Sequence, residues 1–112
     1  MISRVRSNLK RQLMFRDRYC LQCGVPLIED VNIDMHEGII SRAEMMGLPD
    51  EKKEKLFNQY NCVLICHNCN VNFPPKRKEV WDYLVSVYGK EKVEEEYQKM
   101  ISLFKSRRPL KV

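Results

Sequence analysis

The chain lacks several features that would place it in the membrane or outside the cell. No apolar run approaches the roughly 20 residues that a bilayer-spanning helix needs. No uninterrupted apolar stretch follows Arg4 and Arg6, so we expect no secretory signal peptide. Internal repeats and low-complexity segments are also missing, which excludes repeat and fibrous architectures. The sequence therefore predicts a cytoplasmic protein, in a compartment where structural disulfides are uncommon.

The composition is that of one globular domain with more basic than acidic residues. The 112 residues include 44% hydrophobic and 31% charged side chains, and the formal net charge is +5. An excess of positive charge favours an anionic partner, of which nucleic acid is the commonest. Residues 1–19 carry +5, residues 20–60 carry −4 and residues 61–112 carry +4. An acidic middle between basic ends suits a metal site placed against a phosphate backbone, although a solvated surface explains it almost as well.

Four of the five cysteines form two Cys-x-x-Cys pairs, Cys20/Cys23 and Cys66/Cys69. Paired thiols in a reducing compartment indicate metal ligands or a redox site, and a redox site would need a thioredoxin-like βαβ context that this sequence does not show. Two such turns predict a Cys₄ structural zinc site. The 42 residues that separate the pairs predict an inserted segment between the two halves of the site. The fifth cysteine, Cys62, is expected to be a small buried residue.

Hydrophobic periodicity outlines the elements around these cysteines. A basic amphipathic helix is predicted within residues 1–19, followed by a tight turn in which Gly24 supplies backbone freedom. Alternation over residues 27–36 predicts a strand with Asp34 and His36 on its polar face. A capping box at Ser41 and Glu44 predicts a short helix that ends at Gly47.

The second half of the chain is predicted to be mainly helical. A helix opened by Pro49 should extend to Tyr60, and a strand over 63–65 should precede a helical turn over 67–73. Two further helices are expected before a loose tail at 107–112. The prediction is one α+β domain over 1–112, with an N-terminal helix (1–19), a zinc-stapled core (20–75) and a helical extension (76–112).

The order of a His on the first strand, an Asn before the second and a polar residue on the next helix resembles the HNH (ββα-metal) endonuclease family. The matching stretches are Ile33–Arg42 and Asn61–Asn70. The second stretch is similar to the zinc-stapled form of the family. The resemblance covers about residues 5–75, and residues 76–112 are similar to the helical tail of small phage and prophage HNH proteins.

Two positions depart from the family pattern. Asn70 stands where the family has its final His, an ending that the HNH domains of CRISPR effector nucleases share. The family usually places a metal-ligating Asp or His directly before the general-base His, whereas this chain has Met35-His36-Glu37. In one register His36 is the base and Asp34 is the ligand; in the other His36 is the ligand and Glu37 is the base. Alignment with colicin-type DNases favours the second register, and the suitability of a neutral His as a base near pH 7 favours the first.

The resemblance implies a metal-dependent DNA endonuclease with His36, Glu37 and Asn61 as catalytic residues. It implies a divalent ion held by Asp34, His36 and Asn70. Oxygen ligands suit Mg²⁺ or Mn²⁺, and a His ligand would widen the choice to Ni²⁺, Co²⁺ or Zn²⁺. By the same resemblance, Asn61 holds the loop between the strands. His67 is expected to contact solvent or phosphate, because four thiolates already fill the zinc site.

The basic side chains give candidates for phosphate contacts. Of these, Arg42 is the last residue of the first matching stretch and lies nearest to the motif. The full set is Arg4, Arg11, Arg16, Arg18, Arg42, Lys76, Arg77 and Lys78. By resemblance, such proteins are phage- or prophage-encoded, and they assist genome packaging beside a terminase or act in restriction or homing.

Two alternatives to an endonuclease stay open at this point. One is a non-catalytic, zinc-stapled DNA-binding module. The other is an adaptor whose C-terminal helices dock a larger assembly through Trp81, Tyr88 and Phe104, although their helical spacing favours a role in the core.

Overall fold

The computed structural model describes residues 2–28 and 31–105. It is a small α+β fold with a two-stranded antiparallel sheet, which confirms the α+β part of the predicted fold class. The predicted loose tail at 107–112 lies outside the described residues. The elements are α1 (Ile2–Arg16), β1 (Ile33–Glu37), α2 (Asp50–Leu56), β2 (Cys62–Cys66), α3 (His67–Asn72), α4 (Arg77–Tyr88) and α5 (Lys90–Lys105).

The two strands pair along their whole length. Ile33 lies opposite Cys66, and Glu37 lies opposite Cys62. All five residues of β2 are buried, as a compact apolar run at the centre of a small core requires. β1 is shorter than the strand that the alternation over 27–36 predicts. Leu27 belongs instead to the turn that holds Cys20 and Cys23, because its amide donates to the carbonyl of Arg18.

The predicted helix after Ser41 is wrong, although its capping box forms. The amide of Ser41 donates to Glu44 Oε1 at 2.9 Å, and the amide of Glu44 donates to Ser41 Oγ at 3.1 Å. The chain then continues in turns, since the amide of Met46 bonds the carbonyl of Ala43 and Gly47 adopts a φ of 105°. Reciprocal capping bonds without enough following residues therefore leave a turn instead of a helix.

α2 ends earlier than predicted. It stops at Leu56, and Asn58 then folds back on its own backbone. The Asn58 side chain donates to the carbonyl of Lys55 at 2.7 Å and accepts from the amide of Tyr60 at 2.8 Å. Such local side-chain bonds compete with the helical ladder and break it.

The C-terminal helices share the core with the sheet. The core includes Val80 and Leu84 of α4 together with Val93 and Met100 of α5. A Cβ on Gly38, directly after β1, would lie 2.6 Å from a methyl carbon of Val80, so only glycine allows this close approach. Half-buried side chains that pack against the core include Trp81, Tyr88 and Phe104. Among the described residues, none of the helices has the length and apolar character that crossing a membrane requires.

Candidate functional site

The four paired cysteines converge on one point. Their Sγ atoms all lie within 4.8 Å of one another, and the four thiols are free of disulfides. Cys23 Sγ and Cys66 Sγ are 3.8 Å apart. A tetrahedral zinc with Zn–S bonds of about 2.3 Å needs S–S separations of about 3.8 Å. The cluster therefore could hold a metal ion, and the predicted four-cysteine grouping is confirmed.

Each cysteine pair sits on a tight turn. In the first, the amide of Cys20 donates to Val25 and the amide of Gly24 donates to Cys20, at 2.9 and 2.8 Å. Gly24 has a φ of 83° and open space around it, so its backbone conformation requires the glycine. In the second, Cys66 ends β2 and Cys69 lies in α3. An ion here would join the first turn to the junction of β2 with α3.

The thiols differ in acidity. Burial and the neighbouring thiols raise the pKa of Cys69 to about 12. For Cys20, burial is opposed and outweighed by backbone hydrogen bonds, which lower its pKa to about 7. Repulsion between neighbouring thiolates opposes the ionisation of all four cysteines at once. A bound cation would offset this repulsion. Burial also raises the pKa of Cys62 to about 12, in keeping with a neutral buried thiol.

A polar cleft of about 630 Å³ lies beside the cysteine cluster, between α1 and β1. Four consecutive residues of β1 contribute to its wall, so the cleft follows the strand. The cleft is lined by Ser3, Arg6, Ser7, Lys10, Asp34, Met35, His36, Glu37, Arg42 and Asn70.

Asp34 is held by two residues of α3. Its Oδ2 lies 2.7 Å from His67 Nδ1 and accepts a hydrogen bond from Asn70 Nδ2 at 2.9 Å. Burial opposes ionisation of Asp34, but the bonds from His67 and Asn70 hold its pKa below its usual value. His67 therefore contacts a carboxylate of the cleft instead of only the solvent or phosphate expected from the sequence.

His36 lines the same cleft as Asp34 and Asn70. The imidazole of His36 is half-buried, and burial lowers its pKa. The charge of Glu37 and the nearby Pro75 carbonyl and Asn70 side chain oppose this change in the pKa.

Asn61 fixes the loop that follows β1. It is fully buried, and its Oδ1 accepts from the amides of Ile39 and Ile40 at 3.2 and 2.6 Å. Its Nδ2 donates to the carbonyls of Ile40 and Leu56 at 3.1 and 2.8 Å. Both donors and both acceptor positions of the amide are thus used, and Asn61 contacts backbone rather than the cleft.

Glu37 lies between two arginines. Its carboxylate is 8% exposed, and Oε2 lies 3.6 Å from Arg6 Nη2 and 3.5 Å from Arg42 Nη2. Its backbone pairs with Cys62 at the end of the sheet. The predicted base of the second register is therefore enclosed by cations.

Sequence reasoning missed the helical wall of the cleft. Ser3, Arg6, Ser7 and Lys10 follow the i, i+3, i+4, i+7 spacing of one helix face, a signal that was present in the sequence. Lys10 Nζ donates to the carbonyl of Ile33 at 2.7 Å, which ties this face to β1. No sequence signal indicated that the Pro75 carbonyl would affect the pKa of His36.

One predicted phosphate contact needs correction. The guanidinium of Arg16 is bonded to Asp17 at 2.6 Å and to the carbonyls of Gln59 and Cys62 at 2.6 and 2.7 Å. It also lies over the rings of Tyr83 and a second tyrosine of α4. Because these internal partners occupy its donors, Arg16 is a structural cross-link rather than a phosphate contact.

The other predicted phosphate contacts are exposed. Arg77 pairs with Glu44 at 2.7 Å, and Lys78 pairs with Asp82 at 3.0 Å. Of the eight predicted basic residues, Arg42 lines the cleft. The exposed residues outside it are Arg4, Arg11, Arg18, Lys76, Arg77 and Lys78.

Comparison with protein-family models, with curated proteins and with solved structures gives no match for this chain. Within residues 2–28 and 31–105, the cysteines are the one group of three or more His, Cys, Asp or Glu side chains whose ligand atoms come together. The set of Asp34, His36 and Asn70 contains two residues of those types, and Asn70 donates to Asp34. Function is therefore inferred from the cysteine cluster and the cleft.

Proposed function

We propose that this chain is a metal-dependent DNA endonuclease of the HNH (ββα-metal) type. The observation that carries the proposal is that Asp34, His36 and Asn70 line one cleft that also holds three cations, with Asn70 donating to Asp34. Asn61, at the remaining position of the family pattern, fixes the adjacent loop. Carboxylate, imidazole and amide groups beside arginine and lysine are the groups that phosphodiester hydrolysis requires.

The cysteine cluster is proposed as a structural zinc site. Four thiolates at tetrahedral spacing are the preferred ligand set of structural Zn²⁺, and such closed sites leave no position for substrate. The ion would fasten α3, and with it His67 and Asn70, to the first cysteine turn. Zinc would thus support the cleft without taking part in the reaction.

A second divalent ion is proposed in the cleft. The Asp34 carboxylate and the Asn70 amide oxygen are the groups that would hold it, with a preference for Mg²⁺ or Mn²⁺ from the oxygen donors. A ring nitrogen of His36 would join them only in the register in which Glu37 is the base. When bound, such an ion supplies Lewis-acid stabilisation of charge on the phosphate and the leaving oxygen.

His36 is the proposed general base. Its ring would take a proton from the attacking water, and the charge of Glu37 and the nearby Pro75 carbonyl would stabilise the imidazolium. The lowered pKa keeps the imidazole neutral, and so able to accept a proton, at pH 7. The enclosure of Glu37 by Arg6 and Arg42 favours this register over the one in which Glu37 is the base.

The biological setting follows from the same resemblance. We propose a phage- or prophage-encoded protein that acts on DNA in the cytoplasm of a bacterial host, in packaging beside a terminase, in restriction or in homing. The exposed basic residues in α1, just after α1 and at the start of α4 would contact phosphates outside the cleft. These are Arg4, Arg11, Arg18, Lys76, Arg77 and Lys78.

The proposal is tested by incubating supercoiled plasmid with the unaltered chain and each divalent ion in turn. We expect nicked or linear product with Mg²⁺ or Mn²⁺ and none without added ion. Salt-dependent DNA binding with no cleavage in any ion would instead favour a non-catalytic DNA-binding module. If DNA is neither bound nor cut, a pull-down with and without residues 76–112 tests the adaptor alternative.

A further inference from the structure

We propose that Arg6 and Arg42, held on either side of Glu37, form a subsite for the non-bridging oxygens of a DNA phosphodiester. In this arrangement Glu37 is a positioning residue for the two arginines and not a base. The inference rests on the proposed function, because it names how the same cleft would bind its substrate.

The ion pairs around Glu37 are loose. The two N–O distances, 3.6 Å to Arg6 and 3.5 Å to Arg42, exceed the roughly 2.7–2.9 Å of a closed charge-assisted hydrogen bond. The Glu37 side chain is 8% exposed, whereas the Arg6 and Arg42 side chains are 34% and 60% exposed. The carboxylate is therefore the buried anchor, and the guanidinium groups extend from it toward solvent with N–H donors to spare.

Arg6 has a donor that lacks a partner. Within the part of the chain that the structure describes, Arg6 Nε is a buried side-chain nitrogen with no hydrogen bond. Its guanidinium lies over the ring of Phe57, 5.5 Å from the centroid, which restricts its plane. Because this Nε is closed to solvent, the other nitrogens of the partly exposed Arg6 guanidinium are the donors that a ligand in the cleft would reach.

The charge of the cleft fits an anion. Its lining carries three cations, Arg6, Lys10 and Arg42, against the two carboxylates Asp34 and Glu37. One positive charge is in excess while His36 is neutral, and a phosphodiester carries one negative charge. The planar guanidinium matches the paired oxygens of a phosphate, which a single ammonium does not.

The first test measures binding of a labelled DNA duplex by fluorescence anisotropy over a series of salt concentrations, without added divalent ion. Arg42→Gln and Arg6→Gln should each weaken binding by about tenfold and lower the slope of log K against log salt by about one. Lys99→Gln removes the same charge from the exposed surface of α5, where Lys99 pairs with Glu95 and Glu96, and it should leave the slope unchanged.

The second test separates positioning from base catalysis. Glu37→Gln removes the charge that anchors the arginines, so we expect a raised KM for plasmid cleavage with an unchanged pH profile of kcat. Complete loss of cleavage with unaltered DNA affinity would identify Glu37 as the base and overturn the proposal.

Two further results would also overturn it. One is an unchanged salt slope for Arg42→Gln, whose exposed side chain makes misfolding no explanation. The other is the absence of DNA binding by the unaltered chain. Arginine-dependent binding by a chain that cuts no DNA would support the subsite and contradict only the proposed nuclease activity.

Discussion

The two asparagines of the proposed motif, Asn61 and Asn70, have different roles. Asn61 is enclosed by backbone, whereas Asn70 faces Asp34 and His36 in the cleft. Their order along the chain identified both from the sequence. Arg6 and Lys10 were not among the predicted site residues. Positive charge alone does not reveal which residues of α1 lie on the helix face that contacts β1, which is distant in sequence.

Replacing Asn61 is expected to release the loop after β1. Asn61→Ala leaves four backbone bonds unmade in a buried site and should lower the free energy of unfolding by about 2–4 kcal/mol. Asn61→Asp keeps the acceptor for the amides of Ile39 and Ile40 but sets a buried carboxylate against the carbonyls of Ile40 and Leu56, so a loss at least as large is expected. Urea unfolding measures both. Equal stability of Asn61→Ala and the unaltered chain would contradict the role assigned to Asn61.

Elements that depend on a local sequence pattern could be predicted from the sequence. Elements whose formation depends on the cost of nucleating a helix or on tertiary packing could not. β2, α3 and α4 follow from an apolar run, a cysteine turn and a helical stripe closed by Gly89. The segment after Ser41 does not form a helix. The hydrogen bonds of one capping box do not offset the unfavourable free energy of helix nucleation when only a few residues follow. The close approach of α4 to Gly38 depends on tertiary packing, which periodicity does not show.

Asp17 connects α1 to two other elements. It is 3% exposed, accepts from the amide of Leu64 in β2 at 2.9 Å and bonds the hydroxyl of Tyr83 in α4. It also pairs with Arg16. The network therefore fastens the end of α1 to the sheet and to the C-terminal helices.

Breaking this network should destabilise the fold strongly. Asp17→Ala leaves Arg16 without its carboxylate and should cost about 3–5 kcal/mol in the free energy of unfolding. Tyr83→Phe removes one hydrogen bond and should cost about 1 kcal/mol. Asp82→Ala, whose exposed partner is Lys78, should change stability by less than about 1 kcal/mol. Denaturant titrations measure these free energies of unfolding. Equal losses for Asp82→Ala and Asp17→Ala would contradict the structural role assigned to the network.

At the scale of the whole molecule, the cysteine cluster and the cleft share α3. Cys69 belongs to the cluster, and the next residue, Asn70, belongs to the cleft. His67 lies between Cys66 and Cys69 and reaches Asp34. The cysteine spacing predicted the cluster, whereas the contact from His67 to Asp34 depends on how β1 and α3 pack. The geometry of the cleft therefore depends on the integrity of the cluster.

Metal content should depend on four cysteines and not on the fifth. Cys20→Ala is expected to lose the ion and most of the cooperative unfolding transition, because ion binding contributes folding free energy. Cys62→Ala, with the fully buried thiol outside the cluster, should retain about one zinc per chain. Elemental analysis of both purified variants provides the measurement. Equal zinc in both would show that the cluster is not the metal site.

The most direct test of the proposed nuclease is the rate of plasmid nicking by His36→Ala near pH 7, with Mg²⁺ or Mn²⁺ at saturation. Loss of the general base should slow nicking by about 10²–10⁴-fold, while zinc content and affinity for duplex DNA stay those of the unaltered chain. A His36→Ala protein that nicks plasmid at the unaltered rate would contradict the assignment of this cleft as the active site.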